Sequence, residues 1–308
     1  MIKVSVVMIT YNHEKYIEKA VESVLMQKGD FELELLIGND KSPDRTAEIL
    51  KKYEKDERVK IFNREQNMGA TKNELDIKMK CLGDYIAILE GDDYWVTEDK
   101  LDKQLKILQK YDDAVLCYTD SYTVNENNQI IGQKLVKRDC IENFNSLMAN
   151  RGEIPTGTIM YKNIFKYEKN IDNLKKVLTS SEMIGDLSLF AALIKEGKFY
   201  KLNEFTGAYR YITNSTSYSS RSDLYKEYEL YKVFKGIAEY YNLSGLKKYF
   251  FLERRRNRVL KEIQKEDKRI EDVLGNLKLD DKLKIFMYNL IKPFDDLKES
   301  LNKKKYRI

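Results

Sequence analysis

Thiols, prolines and histidines are scarce in this chain of 308 residues, and each scarcity removes a class of protein from consideration. The three cysteines, Cys81, Cys117 and Cys140, are odd in number and far apart. They make neither a disulfide framework nor a metal-binding spacing, and they read as reduced thiols of a cytoplasmic protein. Only 3 prolines occur, so no proline-rich linker marks a domain boundary. The single histidine, His13, follows the first apolar run and reads as a cap or packing residue of the next helix rather than as a catalytic base. No run of about 18 apolar residues is present, so no segment reads as a membrane-spanning helix. The chain enters Val4–Ile9 with neither a charged leader nor a cleavage site. With 55 Lys and Arg against 50 Asp and Glu, the net charge of +5 is too mild to point to nucleic acid. The expected location is cytoplasmic.

What is present is material for a large core, since 42% of the residues are hydrophobic. The first hundred residues alternate strand and helix patterns. Val4–Ile9 is an apolar run of strand length, and Glu14–Gln27 places Ile17, Ala20, Val21, Val24 and Leu25 at helical spacing. Strands are predicted over 32–38, 59–62 and 86–89, and helices over 42–55 and 69–81, with Pro43 well placed in the opening turn of the former. Repeated β-α with short connections predicts an α/β fold, a doubly wound and mostly parallel sheet with helices on both faces and a ligand along its C-terminal edge. Further on, the pattern predicts a helix over 100–111, strands over 114–118, 129–132 and 156–161, and a helix over 186–196. From Ser222 the pattern is helical, so a body over 1–215 and a helical extension over 216–308 are expected.

The most informative stretch is Ile86-Ala87-Ile88-Leu89-Glu90-Gly91-Asp92-Asp93-Tyr94-Trp95. A strand buried on both faces stops abruptly at three carboxylates, opened by a glycine. Carboxylates crowded at a strand end repel one another unless a cation lies between them, and hard oxygen ligands suit Mg²⁺ or Mn²⁺. A solvated acidic turn is the alternative. The buried run and the glycine favour the metal site.

Three further segments stand at predicted strand ends: Thr10-Tyr11-Asn12-His13-Glu14, Asn39-Asp40-Lys41-Ser42-Pro43-Asp44 and Asn67-Met68-Gly69-Ala70-Thr71-Lys72-Asn73. With Glu90-Gly91-Asp92-Asp93 they resemble the nucleotide-binding half of the family 2 inverting glycosyltransferases of GT-A fold, which include many polysaccharide and surface-glycan synthases. The resemblance is close over the first 120 residues, looser to Ser217, and then fades. It implies a GT-A-like domain with a nucleotide-binding half over 1–120 and an acceptor half over 121–215. It further implies a UDP-sugar held by Thr10, Tyr11, Asn12, Asp40, Asn67, Lys72, Glu90, Gly91, Asp92 and Arg210. Tyr11 is implied to pack on the uracil ring and Asp40 to accept its N–H, although Asp40 also reads as a turn or N-cap residue. Lys72 stands where the family often has Arg, and a lysine lacks the planar two-pronged contact. Glu90-Gly91-Asp92 takes the family's DxD position, with Asp92 implied as the ligand of Mn²⁺ or Mg²⁺. Asp93 and Trp95 shape such a site, and Trp95 reads as core.

The family carries an acidic residue at a helix start that Asp186 matches, within Met183-Ile184-Gly185-Asp186-Leu187-Ser188-Leu189-Phe190. The resemblance implies Asp186 as the general base, and the same residue reads as a helix N-cap. Gly207–Ile212 followed by Asn214–Ser217 resembles the family's late Tyr-Arg segment, with Ile212 where a His is often found, and implies Arg210 near the donor pyrophosphate. Thr156-Gly157-Thr158 resembles an acceptor-side strand.

Arg254-Arg255-Arg256-Asn257-Arg258 and Lys303-Lys304-Lys305 flank the apolar, aromatic run Leu283–Ile291. A basic amphipathic tail of this kind lies on an anionic membrane surface, packs on the body or joins two copies. Tyr225, Tyr228 and Tyr231 read as helix packing. The resemblance thus implies a metal-dependent hexosyl- or N-acetylhexosaminyltransferase acting on a hydroxyl of a glycan or lipid-linked acceptor, cytoplasmic or peripheral on the inner face of the cell membrane. A sugar-phosphate nucleotidyltransferase would need a Gly-rich phosphate loop after the first strand, and Thr10-Tyr11-Asn12-His13 has no glycine. A non-catalytic carbohydrate-binding or scaffold derivative would not need Asp40, Asp92 and Asp186.

Overall fold

A computed structural model describes residues 1–149, 154–167, 170–212 and 221–265. Strands β1 (Lys3–Thr10), β2 (Glu32–Asn39), β3 (Val59–Asn63) and β4 (Tyr85–Ile88) alternate with helices α1 (Ile17–Leu25), α2 (Thr46–Leu50) and α3 (Ala70–Lys78). There follow β5 (Tyr94–Trp95), α4 (Lys100–Lys110), β6 (Ala114–Val124), β7 (Ile130–Lys134), β8 (Cys140–Ile141), α5 (Phe144–Ala149) and β9 (Met160–Lys162). The described chain continues through α6 (Ile171–Leu178), α7 (Asp186–Leu193), β10 (Lys198–Arg210), α8 (Asp223–Tyr240) and α9 (Gly245–Lys265).

The sheet runs β3-β2-β1-β4-β9-β6-β10-β5, with β7 added to β6 and β8 to β10. The first four strands are parallel; β9 lies antiparallel between β4 and β6, and β10 is again parallel to β6. Register is what builds the rim: Thr10 pairs with Asn39, and Asn39 with Asn63, so three strands end level.

Both faces of the sheet are covered. Val4, Val6 and Met8 of β1 pack into one apolar cluster with Ile17, Val21 and Val24 of α1 and Leu101 and Leu105 of α4. Val7 points the other way, into a cluster with Ile77 of α3, Leu174 of α6, Phe190 of α7 and Val233 and Ile237 of α8. Alternation along one strand therefore serves two cores, which is why β1 reads as a nearly continuous apolar run broken only by Ser5 between its ends. Helix α7 is apolar on all sides and buried from Leu187 to Leu193, so it lies inside the second core rather than on a surface.

Several sequence expectations shift. The helices predicted from 14 and 42 begin at Ile17 and Thr46. The residues before them are committed to cross-loop bonds: Glu14 N–H donates to Asp44 Oδ2 at 2.9 Å, and Arg45 N–H to Glu14 Oε2 at 3.0 Å. Thr156–Thr158 is a 3₁₀ turn, with Thr158 N–H donating to Pro155 O at 3.0 Å, and the strand predicted over 156–161 is displaced to Met160–Lys162. The long strand β10 escapes its sequence pattern because register shifts near Phe199, Phe205 and Gly207 break the two-residue alternation. Residues Met1–Arg255 form one compact unit, so α8 belongs with the body; a second unit begins at Arg256, within α9. Asn214–Ser217, the apolar run 283–291 and Lys303–Lys305 lie outside the described residues. Cys81 and Cys117 are buried and Cys140 half-buried, all three as free thiols. Among the described residues no helix is long and apolar enough to cross a membrane.

Candidate active site

A cleft of about 1350 Å³ opens along the C-terminal ends of β1 and β4. It exceeds the ~300–1,000 Å³ of ordinary small-ligand pockets, leaving room for two substrates. Its lining includes Thr10, Tyr11, Asn12, Asp40, Asn67, Glu90, Asp92 and Asp186, all chosen from the sequence. Lys72, Gly91 and Arg210 are not part of it.

The loops after β1 and β2 are locked together. Asn12 takes a left-handed backbone (φ 62°) and donates its N–H to Ser42 Oγ at 3.1 Å, while His13 N–H donates to Thr46 Oγ1 at 3.0 Å. His13 O accepts from Tyr16 and Ile17 N–H just ahead of α1, but the N-cap position falls to Tyr16 rather than to His13 as expected. Its ring, however, lines the cleft with Nε2 3.8 Å from Asp92 Oδ2. Asp40 is buried, and its two oxygens accept from the N–H groups of Met68 (2.7 Å) and Gly69 (2.9 Å). Asn67 returns the contact, donating Nδ2–H to Asp40 O at 3.2 Å. Asp40 thus shapes the loop before α3 while still facing the cleft, and each carboxylate oxygen retains a lone pair. Tyr11 is 39% exposed at the mouth, open to stacking.

The acidic segment divides its labour. Gly91 is there for close approach: a Cβ would lie 2.8 Å from Thr10 Cβ. Burial, then the neighbouring charges of Asp92, Glu74 and Asp186, push the Glu90 carboxyl up to about 8. Asp93 is buried deeper, accepts Arg210 N–H at 2.7 Å, and is likewise raised, first by burial and then by Asp92 and Glu90. All three carboxylates line the cleft, and Asp92 keeps a quarter of its side chain exposed. Among the described residues no three His, Cys, Asp or Glu side chains are arranged to hold a metal ion by themselves. The donor set still suits a hard cation bound through one or two carboxylates plus substrate oxygens, and the crowding that raises Glu90 is what such a cation relieves.

Arg210 departs from its expected role. Only 3% exposed, it donates Nε–H to Asp92 O at 2.7 Å, Nη1–H to Asn125 O at 3.0 Å and Nη2–H to Asn128 Oδ1 at 2.9 Å. Its guanidinium lies 4.4 Å from the Tyr16 ring centroid. It clamps the β6–β7 turn to the acidic segment, outside the cleft lining. Lys72 also departs: it is exposed on α3, outside the cleft. Trp95 is core as expected, 1% exposed, donating Nε1–H to Gly157 O at 2.7 Å and so holding the 156–158 turn in the cleft wall.

Across the cleft, Asp186 opens α7, and its Oδ1 accepts Leu187 N–H at 2.6 Å. Burial raises its pKa above the ordinary carboxylate range, the Leu187 N–H opposes this, Glu74 adds to it, and Lys134 and Lys78 oppose it. Glu74, which sequence reading passed over, lines the cleft and pairs with buried Lys78 at 2.9 Å. The i,i+4 spacing of that pair was visible, but it is common to surface helices and gave no cue to a site.

Over residues 5–172, more than half its length, the chain matches the family described as glycosyl transferase family 2, and it belongs to that family. It is 31% identical over 225 residues to TuaG of Bacillus subtilis (strain 168), named for teichuronic acid biosynthesis, across 70% of this chain and 81% of TuaG. It is 34% identical over 116 residues to the uncharacterized protein Rv1520 of Mycobacterium tuberculosis (strain ATCC 25618 / H37Rv), across 37% of this chain. The match spans about a third (34%) of that mycobacterial relative's length. Among solved structures, S. aureus TarS 1–349 in complex with UDP-GlcNAc aligns with a TM-score of 0.61 at 18% identity, over 91% of this chain and 78% of that one, a likeness of fold.

Proposed function

We propose that this chain is an inverting glycosyltransferase that moves a sugar from a UDP-sugar to a hydroxyl of a glycan or lipid-linked acceptor in polysaccharide synthesis. The observation that carries this reading is the placement of Asp186, at the start of α7, in the same cleft as Asp40 and Asp92. A carboxylate of raised proton affinity is a better general base than an ordinary one. Asp186 takes the proton of the acceptor hydroxyl as that oxygen bonds the anomeric carbon, and the bond from that carbon to the diphosphate breaks. A single displacement assisted by one base inverts the centre. Tyr11 and the Asp40 carboxylate offer a stacking surface and an acceptor to a base with an N–H edge. Asp92 would hold Mn²⁺ or Mg²⁺ together with the donor's phosphate oxygens, supplying charge stabilisation to the departing diphosphate. Solved TarS complexes with UDP and UDP-GlcNAc, similar in fold, support the donor class. On α9, exposed Leu246 and Phe250 stand beside Lys247 and Lys248, and we extend the proposal to peripheral contact with an anionic membrane, testable by flotation with acidic vesicles.

Calorimetric titration of UDP with and without Mn²⁺, on the wild type and Asp92→Ala, tests the site. Metal-dependent binding lost in the variant is the expected result. Silence toward UDP and other nucleotides under both conditions would move the chain to the non-catalytic, carbohydrate-binding reading.

A further inference from the structure

The turn that delivers Asp186 is held from outside the family-matched segment. Residues 181–185 precede α7, and their backbone would be loose on its own. Ser181 Oγ gathers the turn by accepting Met183 N–H at 3.1 Å and Ile184 N–H at 2.9 Å. That hydroxyl in turn donates to Glu229 Oε2 at 2.6 Å, and the same oxygen accepts Glu182 N–H at 3.1 Å. Glu229 sits on α8, 1% exposed, with its second oxygen 2.6 Å from Lys232 Nζ. A second contact lies two helical turns along: a Cβ at Gly236 would fall 2.5 Å from Ser180 Cβ, so α8 packs directly on the Ser180 side chain just before the turn. Ser180 Oγ reaches Ser188 Oγ of α7 at 3.3 Å.

We infer that Glu229 is a positioning residue for Asp186: through Ser181 and the Glu182 amide it fixes the turn that sets where α7 begins and where the Asp186 carboxylate stands. The inference rests on the reading of Asp186 as the base. A buried carboxylate with one oxygen committed to that turn and the other to Lys232 is a costly way to join two helices unless the placement of the turn matters. Displacing a catalytic group by about an ångström costs up to ~10²-fold in rate while leaving remote binding contacts intact. The helix that carries Glu229 begins at Asp223, within the 216–308 segment that the sequence marks as an extension, whereas Asp186 lies in the body.

The test compares Glu229→Ala, Glu229→Gln, Ser181→Ala and Asp186→Asn with the wild type. UDP release is followed from whichever of UDP-glucose, UDP-galactose, UDP-GlcNAc and UDP-GalNAc the wild type turns over fastest, and UDP binding is measured by calorimetry. Glu229→Ala is expected to lower kcat by roughly 10- to 100-fold with UDP affinity and binding stoichiometry unchanged. Glu229→Gln keeps an acceptor oxygen for Ser181 and the Glu182 amide, and should restore most of the rate. Ser181→Ala should lower kcat on its own and add little to Glu229→Ala, because both cut one linkage. Wild-type kcat in both Glu229→Ala and Ser181→Ala overturns the inference, as does a fall in kcat matched by an equal fall in binding stoichiometry, which marks lost folding. If Glu229→Ala does not fold, Ser181→Ala decides. Full turnover by Asp186→Asn sinks the base assignment itself; a dead Asp186→Asn beside intact Glu229→Ala and Ser181→Ala sinks only the positioning role.

Discussion

The wall of the cleft built by β1 to β4 and the wall that carries Asp186 are held by different kinds of bond. On the first, parallel register brings Thr10, Asn39 and Asn63 level, and the loops beyond them close on one another within the same half of the chain. On the second, the turn before α7 has no strand end to hang from and depends on Glu229, 48 positions from Ser181. A rim made by strand register tolerates loss of single side chains. A turn held by one buried carboxylate does not, and substitutions on the two walls should therefore fail in different ways.

The largest separation is expected at Asp186. Asp186→Asn should lower turnover by about 10²- to 10⁴-fold, the usual range for a lost general base, with UDP affinity intact by calorimetry. Undiminished UDP release would break the distinction between the walls at its root. Next is Arg210→Ala, which strips donors from Asp92 O, Asn125 O and Asn128. A loss of roughly 2–3 kcal/mol in denaturant unfolding is expected, together with weaker UDP binding as the acidic segment slackens. Two glycine substitutions sharpen the contrast further. Gly91→Ala and Gly236→Ala each drive a Cβ into occupied space, on opposite walls, and each should cost about 1–3 kcal/mol. The former should weaken UDP binding, whereas the latter should lower kcat and leave UDP binding alone. Equal effects of both on affinity would mean that the walls are not separable.

The remaining effect, on stability alone and not on substrate, lies beneath both walls. Lys100 is fully buried with Nζ 4.2 Å from the Trp95 ring centroid, and burial lowers its pKa from an ordinary 10.5 to about 7. Between those values the unfolded chain binds a proton that the folded lysine does not, so this group makes stability rise as pH climbs from about 7 towards 10. Lys100→Met should flatten that slope in melts taken across the range.

The same contrast explains what the sequence disclosed. The alternation of β1 through β4 and the polar residues at their ends were readable because the signals are local and each strand is covered on both faces. Thr10, Asp40 and Asp92 stand at strand ends that an α/β topology brings to one rim, whereas Asp186 was reached through the family resemblance. The bonds of Arg210 were not legible because its partners lie 82 to 118 positions away, and no spacing announces them. Glu229 read as one more charge on a Lys- and Glu-rich helix. Glu74 looked like half of a surface ion pair, and β10 was hidden by its own bulges.

Helix α8 sets a limit on how this protein can be cut and recombined. Val233, Phe234, Ile237 and Ala238 share a core with Phe190 and Leu193. Ending the chain at residue 215 would therefore strand an apolar face rather than release a module. Chimeras between relatives that aim to trade acceptor preference should carry α8 and the start of α9 with α7, placing the junction beyond Arg255.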